Sequence, residues 1–148
     1  MLKAIQNYFD SYITPEPEVD IEHQLKLATT ALLIEMMLQD DDVAEQEIIT
    51  IKETIQNTFE LTADESQTLF ELAEQEQRNS TDYHQFTRLI AKNYTKQQKC
   101  QVIENLWRIA YADGHLDRLE EHMLRRISDL IYVAHSDFIR IKHKVLES

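Results

Sequence analysis

Apolar residues recur every three or four positions along most of the chain, which is the spacing of one face of an α-helix. The pattern predicts a first amphipathic helix over residues 2–13, and Pro15 and Pro17 end it because proline cannot continue the helical hydrogen-bond ladder. No segment alternates apolar and polar residues with a period of two, so we predict no strands. The apolar side of the first helix comprises Leu2, Ile5, Tyr8, Phe9 and Tyr12.

Seven further helices are predicted, and six of them begin at a residue that can cap a helix N-terminus with a side-chain oxygen. Two of these starts, Thr62 with Glu65 and Asp117 with Glu120, have the spacing of a reciprocal capping box. The second helix is predicted to bury Ile21, Leu25, Ala28, Leu32, Leu33, Met36 and Met37, and the third Ile48, Ile51, Ile55 and Phe59. From start to end, the seven predicted helices run approximately from Asp20 to Gln39, Ala44 to Thr58, Thr62 to Arg78, Ser80 to Tyr94, Thr95 to Asp113, Asp117 to Tyr132 and Ser136 to Leu146.

The chain resembles itself at an offset of 73 residues, the separation of Asp40 from Asp113. At that offset Val43 falls on Leu116, Glu47 on Glu120, Ile51 on Leu124 and Phe59 on Tyr132. Each unit reads as a long helix, an acidic turn, a second helix and a capped third helix. We therefore predict an all-α fold, a compact bundle of about seven to eight helices with an internal pseudo-twofold repeat. Residues 1–148 would form one domain, with an N-terminal helix over 1–14 and halves over about 20–79 and 80–148.

Composition narrows the class of protein further. The 148 residues, with one Gly, two Pro and one Cys, suit a single helical domain without a disulfide and favour a reducing compartment. No apolar run approaches the length of a membrane span, and the N-terminus does not read as a secretory signal. The formal net charge of −12 disfavours nucleic acid and anionic membranes, and it favours cations and basic partners.

Two acidic turns carry the candidate chemistry: Asp40, Asp41, Asp42, Glu45 and Glu47 in the first, and Asp113, Asp117, Glu120 and Glu121 in the second. Carboxylate oxygens are hard ligands that suit Ca²⁺ or Mg²⁺. The predicted metal ligands are Asp40, Glu47, Asp113 and Glu120, with Asp117 as a further candidate. The alternative is structural: Asp117 and Glu120 form a capping box, and Asp113-Gly114 is an ordinary turn.

The other reactive residues favour structural roles. The sequence contains neither His-Glu-x-x-His nor Glu-x-x-His, so the six histidines are predicted to lie isolated on the surface, although His115 and His122 could join a metal site with Asp117 and Glu121. Cys100 is predicted to be a buried thiol, and Trp107 is predicted to belong to the core. The first helix either packs on the domain or docks in a partner. A basic cluster in the last third either pairs with the acidic turn, receives an acidic partner or forms a solvated face: Arg118, Arg125, Arg126, Arg140, Lys142 and Lys144.

The segment Ala-Tyr-Ala-Asp-Gly-His-Leu-Asp-Arg-Leu-Glu-Glu, residues 110–121, resembles the signature of TerB-like domains. These domains take their name from the bacterial tellurite-resistance protein TerB, and one forms the N-terminal domain of a membrane-anchored DnaJ-type co-chaperone. Residues 124–130 and 136–139 resemble uncharacterised stand-alone bacterial members of the family. The first unit departs from the signature, because Asp41 replaces the glycine and Ala44 stands where the second unit has Asp117.

The resemblance implies an all-helical fold with internal pseudo-symmetry, a bacterial cytoplasmic location and an association with tellurite resistance and other stress responses. It implies no enzymatic activity, and it marks the acidic residues as a candidate metal site. We therefore expect a non-enzymatic interaction or regulatory module with an unidentified protein partner. Direct binding of tellurite to the acidic turns is disfavoured by charge repulsion. The alternative is a metal-dependent enzyme or a metal-storage protein that uses the same carboxylates.

Overall fold

The computed structural model describes residues 2–13, 21–38, 45–79, 84–112 and 121–147. Within these ranges the chain is helical and contains no strand, which confirms the predicted all-α class. No helix in this part of the chain is long and apolar enough to cross a membrane. The helices are α1 (Leu2–Tyr8, continued by a π-helical turn over Phe9–Ile13), α2 (Ile21–Leu38), α3 (Glu45–Phe59), α4 (Ala63–Asn79), α5 (Gln85–Asn93), α6 (Lys96–Ala112), α7 (Glu121–Leu130) and α8 (His135–Leu146).

Helix α2 forms the centre of the fold. It is buried on every side from Leu27 to Met37, as expected of a helix that is apolar around most of its circumference. The α4, α5, α6 and α7 helices all pack against it, as does the π-helical turn. The buried surface of α2 is therefore wider than the apolar side predicted from the sequence. At the N-terminal end of α2 the prediction is wrong, since Ile21 is exposed.

Helix α6 is the second central helix, and it packs directly on α2. One further helix packs extensively on each central helix, α4 on α2 and α8 on α6. The remaining helices α3 and α7 each pack on both central helices. The apolar core contains side chains from every helix, including the predicted core residues Ile103, Leu106 and Trp107.

Two of the predicted helix caps are present as hydrogen bonds. Thr62 and Glu65 form the reciprocal capping box of α4, with N–H to side-chain oxygen distances of 3.0 and 3.1 Å. Thr95 caps α6 in the same way, with Gln98 as its partner at 2.8 and 3.1 Å. These caps could be predicted because the interacting residues are three positions apart in the sequence.

Other predicted caps fail or lie elsewhere. Helix α8 begins at His135, after an extended Ala134 with no side-chain cap, so the Ser136 cap is wrong because Ser136 lies inside the first turn. Helix α5 begins at Gln85, not just after Ser80, because a carboxylate from α2 caps it there. Asp20, Ser80 and Asp117 themselves lie outside the described residues.

A non-glycine residue with left-handed backbone follows each of α3 and α7: Glu60, at φ 56°, comes directly after α3, and Tyr132, at φ 66°, comes two residues after α7 ends. At the end of α7 the amides of Tyr132 and Val133 donate to the carbonyls of Asp129 and Ser128, at 3.1 and 2.9 Å, which is the Schellman pattern usually completed by glycine. Glu60 and Tyr132 are 72 positions apart, whereas the predicted repeat has an offset of 73, and the predicted pairing of Phe59 with Tyr132 stays a prediction.

The first helix packs on the domain. Ile5, Phe9 and Ile13 are buried, and the ring of Phe9 lies 6.2 Å from that of Tyr94. The buried Tyr94 hydroxyl donates a 2.8 Å hydrogen bond to the carbonyl of Ile13, which fixes the end of the π-helical turn. Tyr12, predicted on the apolar side, is exposed instead, because the wider π-helical turn changes the spacing of side chains around the axis.

Candidate functional site

The predicted metal ligands fall mostly outside the part of the chain that the structure describes. Asp40, Asp113, Asp117 and Glu120 lie outside it, and of Glu47 only the backbone, in α3, is described. Their convergence on one ion therefore stays a prediction. Among the described residues there is no group of three or more His, Cys, Asp or Glu that could hold a metal ion.

The helices on either side of the two acidic segments are described. Residues 39–44 connect α2 to α3, and residues 113–120 connect α6 to α7. Helices α3 and α7 each pack on both α2 and α6. Each acidic segment therefore leads from one central helix to a helix that packs on both of them.

The predicted basic cluster is not one surface. Arg125 and Arg126 are exposed on α7, whereas on α8 Arg140 pairs with Asp137 at 3.3 Å and Lys144 reaches Glu104 on α6. Lys142 lies over the ring of Trp107, 5.6 Å from its centroid. These contacts divide the cluster between the α6–α8 interface and solvent, while Arg118 lies outside the described residues.

A polar cavity of about 510 Å³ lies between α2, α6 and the end of α3. Its polar lining includes two charge pairs of helical spacing, Glu22 with Lys26 on α2 and Glu104 with Arg108 on α6. The exposed Ile21 lines its mouth. The cavity could not be predicted from the sequence, because its α2, α3 and α6 walls come from distant parts of the chain.

Glu104 is the buried anion of this cavity. Its carboxylate accepts hydrogen bonds of 2.7 Å from both Arg108 and Lys144, and its side chain is only 8% exposed. Burial by itself raises the pKa of Glu104, but the Lys144 hydrogen bond and the Arg108 charge outweigh it and lower the pKa overall. Glu104 is therefore an ionised residue that joins α6 to α8, and both of its carboxylate oxygens already accept hydrogen bonds within the protein.

Glu35, in the middle of α2, is the other buried carboxylate. Its two oxygens accept hydrogen bonds from the backbone N–H groups of Phe86 and Thr87, at 2.7 and 3.2 Å, and from the Thr87 hydroxyl at 2.7 Å. A carboxylate at this place satisfies the first free N–H groups of α5 and complements the helix dipole. Burial raises the pKa of Glu35 to about 7, against the lowering effect of these hydrogen bonds.

His23 departs from the prediction of isolated surface histidines. Its Nε2 lies 2.5 Å from a carboxylate oxygen of Glu65, the same residue that completes the α4 capping box. Burial raises the pKa of Glu65, but the backbone hydrogen bond from Thr62 and the contact with His23 lower it overall. The pair joins the start of α2 to the start of α4. His122, His135 and His143 are exposed as predicted, and His115 lies outside the described residues.

Cys100 is half-buried on α6, not fully buried as predicted. Burial and the nearby Asp137 charge raise the pKa of its thiol, and the opposing effects of Arg140 and Lys96 do not cancel this rise. The protonated thiol is the unreactive form. This agrees with a structural role for Cys100.

In the sequence, Glu35 and Glu104 stand out only as charged residues next to apolar ones. Glu35 interrupts the apolar run from Leu32 to Met37, and Glu104 directly follows the buried pair Val102 and Ile103. A charged residue at a core position is rarely left unpaired. The partners could not be read from the sequence, since Phe86 and Lys144 lie 51 and 40 residues away.

The described structure thus defines an all-helical domain with two central helices, each followed by an acidic segment, and with buried carboxylates that tie helices together. Comparison with known protein families agrees with this description. The family described as tellurite resistance protein TerB matches residues 26–143, and the chain belongs to this family. The predicted resemblance is therefore confirmed over both halves of the chain. Neither the curated proteins nor the solved structures gave a match.

Proposed function

We propose that this TerB-family chain is a non-enzymatic interaction or regulatory domain of a tellurite-resistance-type stress response. Its acidic segments, residues 40–47 and 113–120, bind a divalent cation, Ca²⁺ or Mg²⁺, or a basic segment of a partner protein. The observation that carries the proposal is that α3 and α7, the helices that follow the acidic segments in the chain, each pack on both central helices, α2 and α6. The connectivity of the chain therefore relates both acidic segments to the same pair of helices.

Similarities between the two halves of the chain support this reading. Glu60 and Tyr132, which are 72 residues apart, share the left-handed conformation, and the buried Leu61 and Val133 follow them. Helices α4 and α8 continue the match at the same offset, because Ser66 and Leu69 are buried like Phe138 and Ile141. We infer that the halves are duplicated units. On this view the two acidic segments are one feature that occurs twice.

The proposed lack of enzymatic activity rests on the sequence, in which we find no catalytic motif, and on the use of the buried carboxylates. A raised pKa such as that of Glu35 often marks a catalytic acid or base. Both oxygens of Glu35, however, accept hydrogen bonds from α5, and the side chain is buried. Glu35 is therefore better explained as the cap of α5. A metal-dependent enzyme would need a different acid or base beside the acidic segments.

The proposal is tested by NMR titration of the full chain with Ca²⁺, Mg²⁺ and Mn²⁺, and separately with an oligolysine peptide. We expect saturable amide shifts at the acidic segments and at the adjoining ends of α2, α3, α6 and α7. Asp113→Ala removes one of the hard oxygen ligands and is expected to weaken binding about tenfold, because few carboxylates set the affinity of such sites.

The matched control is Asp129→Ala, which removes an exposed carboxylate from α7 outside the acidic segments. It changes the net charge equally and should leave the affinity within about twofold, as expected for one screened surface charge. Absence of saturable shifts with every titrant would refute the site. A lower melting temperature of Asp113→Ala without any titrant, together with unchanged binding, would assign Asp113 to the turn and not to a ligand.

A further inference from the structure

A second surface is formed by residues outside the acidic segments. A groove of about 560 Å³ runs between α1, α5 and the end of α7, and its lining includes the apolar Leu89, the aromatic Tyr132 and the cations Arg88 and Lys92. We infer that this groove binds an acidic amphipathic helix from a partner protein. The inference concerns different residues from the proposed function, so either can fail without the other.

The distribution of charge favours an acidic ligand here. Residues 1–79 contain 4 Lys and Arg against 18 Asp and Glu, a formal charge of −14, whereas residues 80–148 contain 11 against 9, a formal charge of +2. Except for Gln6 on α1, the groove is lined by the second half of the chain. Within a strongly acidic protein, the groove therefore combines an apolar wall with cations.

The spacing of the cations favours a helix as the ligand. Arg88 and Lys92 are four residues apart on α5, so their side chains emerge one helical turn apart on the same side. Carboxylates spaced by four residues on a bound helix have the same separation and can meet both cations. A third cation, Lys99, lies over the ring of Tyr132, 5.9 Å from its centroid. A fatty acid, with a single carboxylate, would use only one of the three.

Charges around the groove favour one orientation of the ligand. Gln6 on α1 donates to the carboxylate of Asp10 at 3.0 Å, so the α1 side of the groove adjoins an acidic residue. Arg88 and Lys92 both belong to α5. The carboxylates of the ligand are therefore expected next to α5, and its apolar side chains against Leu89 and Tyr132.

Tyr132 provides the second, independent observation. Its side chain is 81% exposed, and its backbone is left-handed, which is unfavourable for a residue with a side chain. Glu60 occupies the matching turn after α3, so the turn itself does not require an aromatic residue. An exposed tyrosine next to a basic, apolar groove has the composition of a binding hot spot, in which Tyr and Arg are enriched.

The test begins with selection of binders to the full chain from a display library of random 16-residue peptides. We expect enriched sequences to carry Asp or Glu four residues apart beside Leu, Phe or Trp. The affinity of one enriched peptide is then measured by fluorescence anisotropy. Tyr132→Gly and Lys92→Glu should each weaken binding by at least about tenfold, the usual effect of removing a hot-spot residue. A higher salt concentration should weaken binding of the peptide to the unmodified chain, because salt screens the attraction between exposed charges.

The chain offers a matched control for each variant. Glu60→Gly changes the equivalent left-handed turn without touching the groove, and Lys52→Glu makes the same charge change on α3. Both controls should bind the peptide within about twofold of the unmodified chain. Glycine is the favoured residue at a left-handed position, so Tyr132→Gly should remain folded. A thermal melt of each glycine variant verifies this before binding is measured.

Three results would overturn the inference. The first is failure of the peptide experiment. Either the selection yields no binders, or only basic or uncharged ones, or the selected peptide still binds equally well to both Tyr132→Gly and Lys92→Glu. The second is saturable binding of decanoate at the groove when no peptide binds, which would make the groove a fatty-acid site. The third is concentration-dependent self-association in sedimentation that Tyr132→Gly abolishes, since the occupant would then be a second copy of this chain.

Discussion

Replacement of Glu35 with alanine is expected to lower the free energy of unfolding by about 3 kcal/mol. The change removes the acceptor of three buried donors, the two backbone N–H groups of Phe86 and Thr87 and the Thr87 hydroxyl, and each such loss costs about 1 kcal/mol or more. Urea denaturation near pH 6 measures the effect. An unchanged midpoint would show that α5 does not depend on Glu35.

The pH dependence of stability identifies the same residue. The pKa of Glu35 is raised from the ordinary 4.5 to about 7 in the folded chain, mainly by burial. The folded state therefore favours the protonated acid. The resulting stabilisation is complete below pH 4.5 and is lost as the pH rises to about 7, a change of about 3 kcal/mol at 1.36 kcal/mol for each pKa unit.

Glu35→Gln isolates this contribution, because the amide is isosteric and does not titrate. Relative to Glu35→Gln, the unmodified chain is expected to lose about 3 kcal/mol of unfolding free energy between pH 4.5 and pH 8. The other carboxylates titrate in both proteins, so their contributions cancel in the difference. Two stability curves that run parallel across this range would contradict the raised pKa of Glu35.

The second large effect is expected for Phe138→Ala, at about 4 kcal/mol of unfolding free energy. Phe138 is fully buried where α8 packs on α6, and its ring centroid lies 5.0 Å from that of Trp107. Truncation leaves a cavity beneath Trp107 that the rigid helices cannot close. Chemical denaturation gives the stability, and tryptophan fluorescence of the folded state reports the changed surroundings of the indole.

Ser66 on α4 provides the control, because it is as deeply buried as Phe138. Its hydroxyl has no hydrogen-bond partner in the described part of the chain. Ser66→Ala removes this buried polar atom and creates little empty volume, so stability should stay within about 0.5 kcal/mol or rise slightly. Equal losses for Ser66→Ala and Phe138→Ala would rule out cavity formation as the cause.

Glu35 also connects the stability of the fold to the proposed peptide groove. The helix that it caps, α5, supplies Arg88, Leu89 and Lys92 to the groove. Arg88 lies close enough to lower the pKa of Glu35. Charge changes for binding tests are therefore best made at Lys92, one turn further along the helix. A binding defect of an Arg88 variant could result either from loss of a groove cation or from weaker capping of α5 by Glu35.

The sequence determined the helical class, the approximate helix positions and the family. Helical periodicity depends on residues three and four apart, so α3 was predicted within one residue at each end. The capping boxes at Thr62 and Thr95 involve residues three apart and were predicted or half-predicted for the same reason. The family signature at residues 110–121 is also local, and the match over residues 26–143 confirmed it.

The acidic segments show what a local pattern cannot provide. The sequence named Asp40, Glu47, Asp113 and Glu120 as metal ligands because carboxylates gather there, and this stays a prediction. The described helices add only that each segment joins a central helix to a helix that packs on both central helices. Whether the carboxylates meet depends on positions that helical spacing does not define.

The buried contacts depended on tertiary structure alone. Glu35 caps a helix that begins 50 residues later, Lys144 reaches back to Glu104, and His23 contacts Glu65. Each bond joins residues at least 40 positions apart, and its energy arises only when packing excludes water from both partners. The sequence by itself therefore determined which segments are helical and where the acidic residues cluster. Tertiary structure decided which buried charges are satisfied, where α5 begins and that Tyr132 stands exposed beside a basic groove.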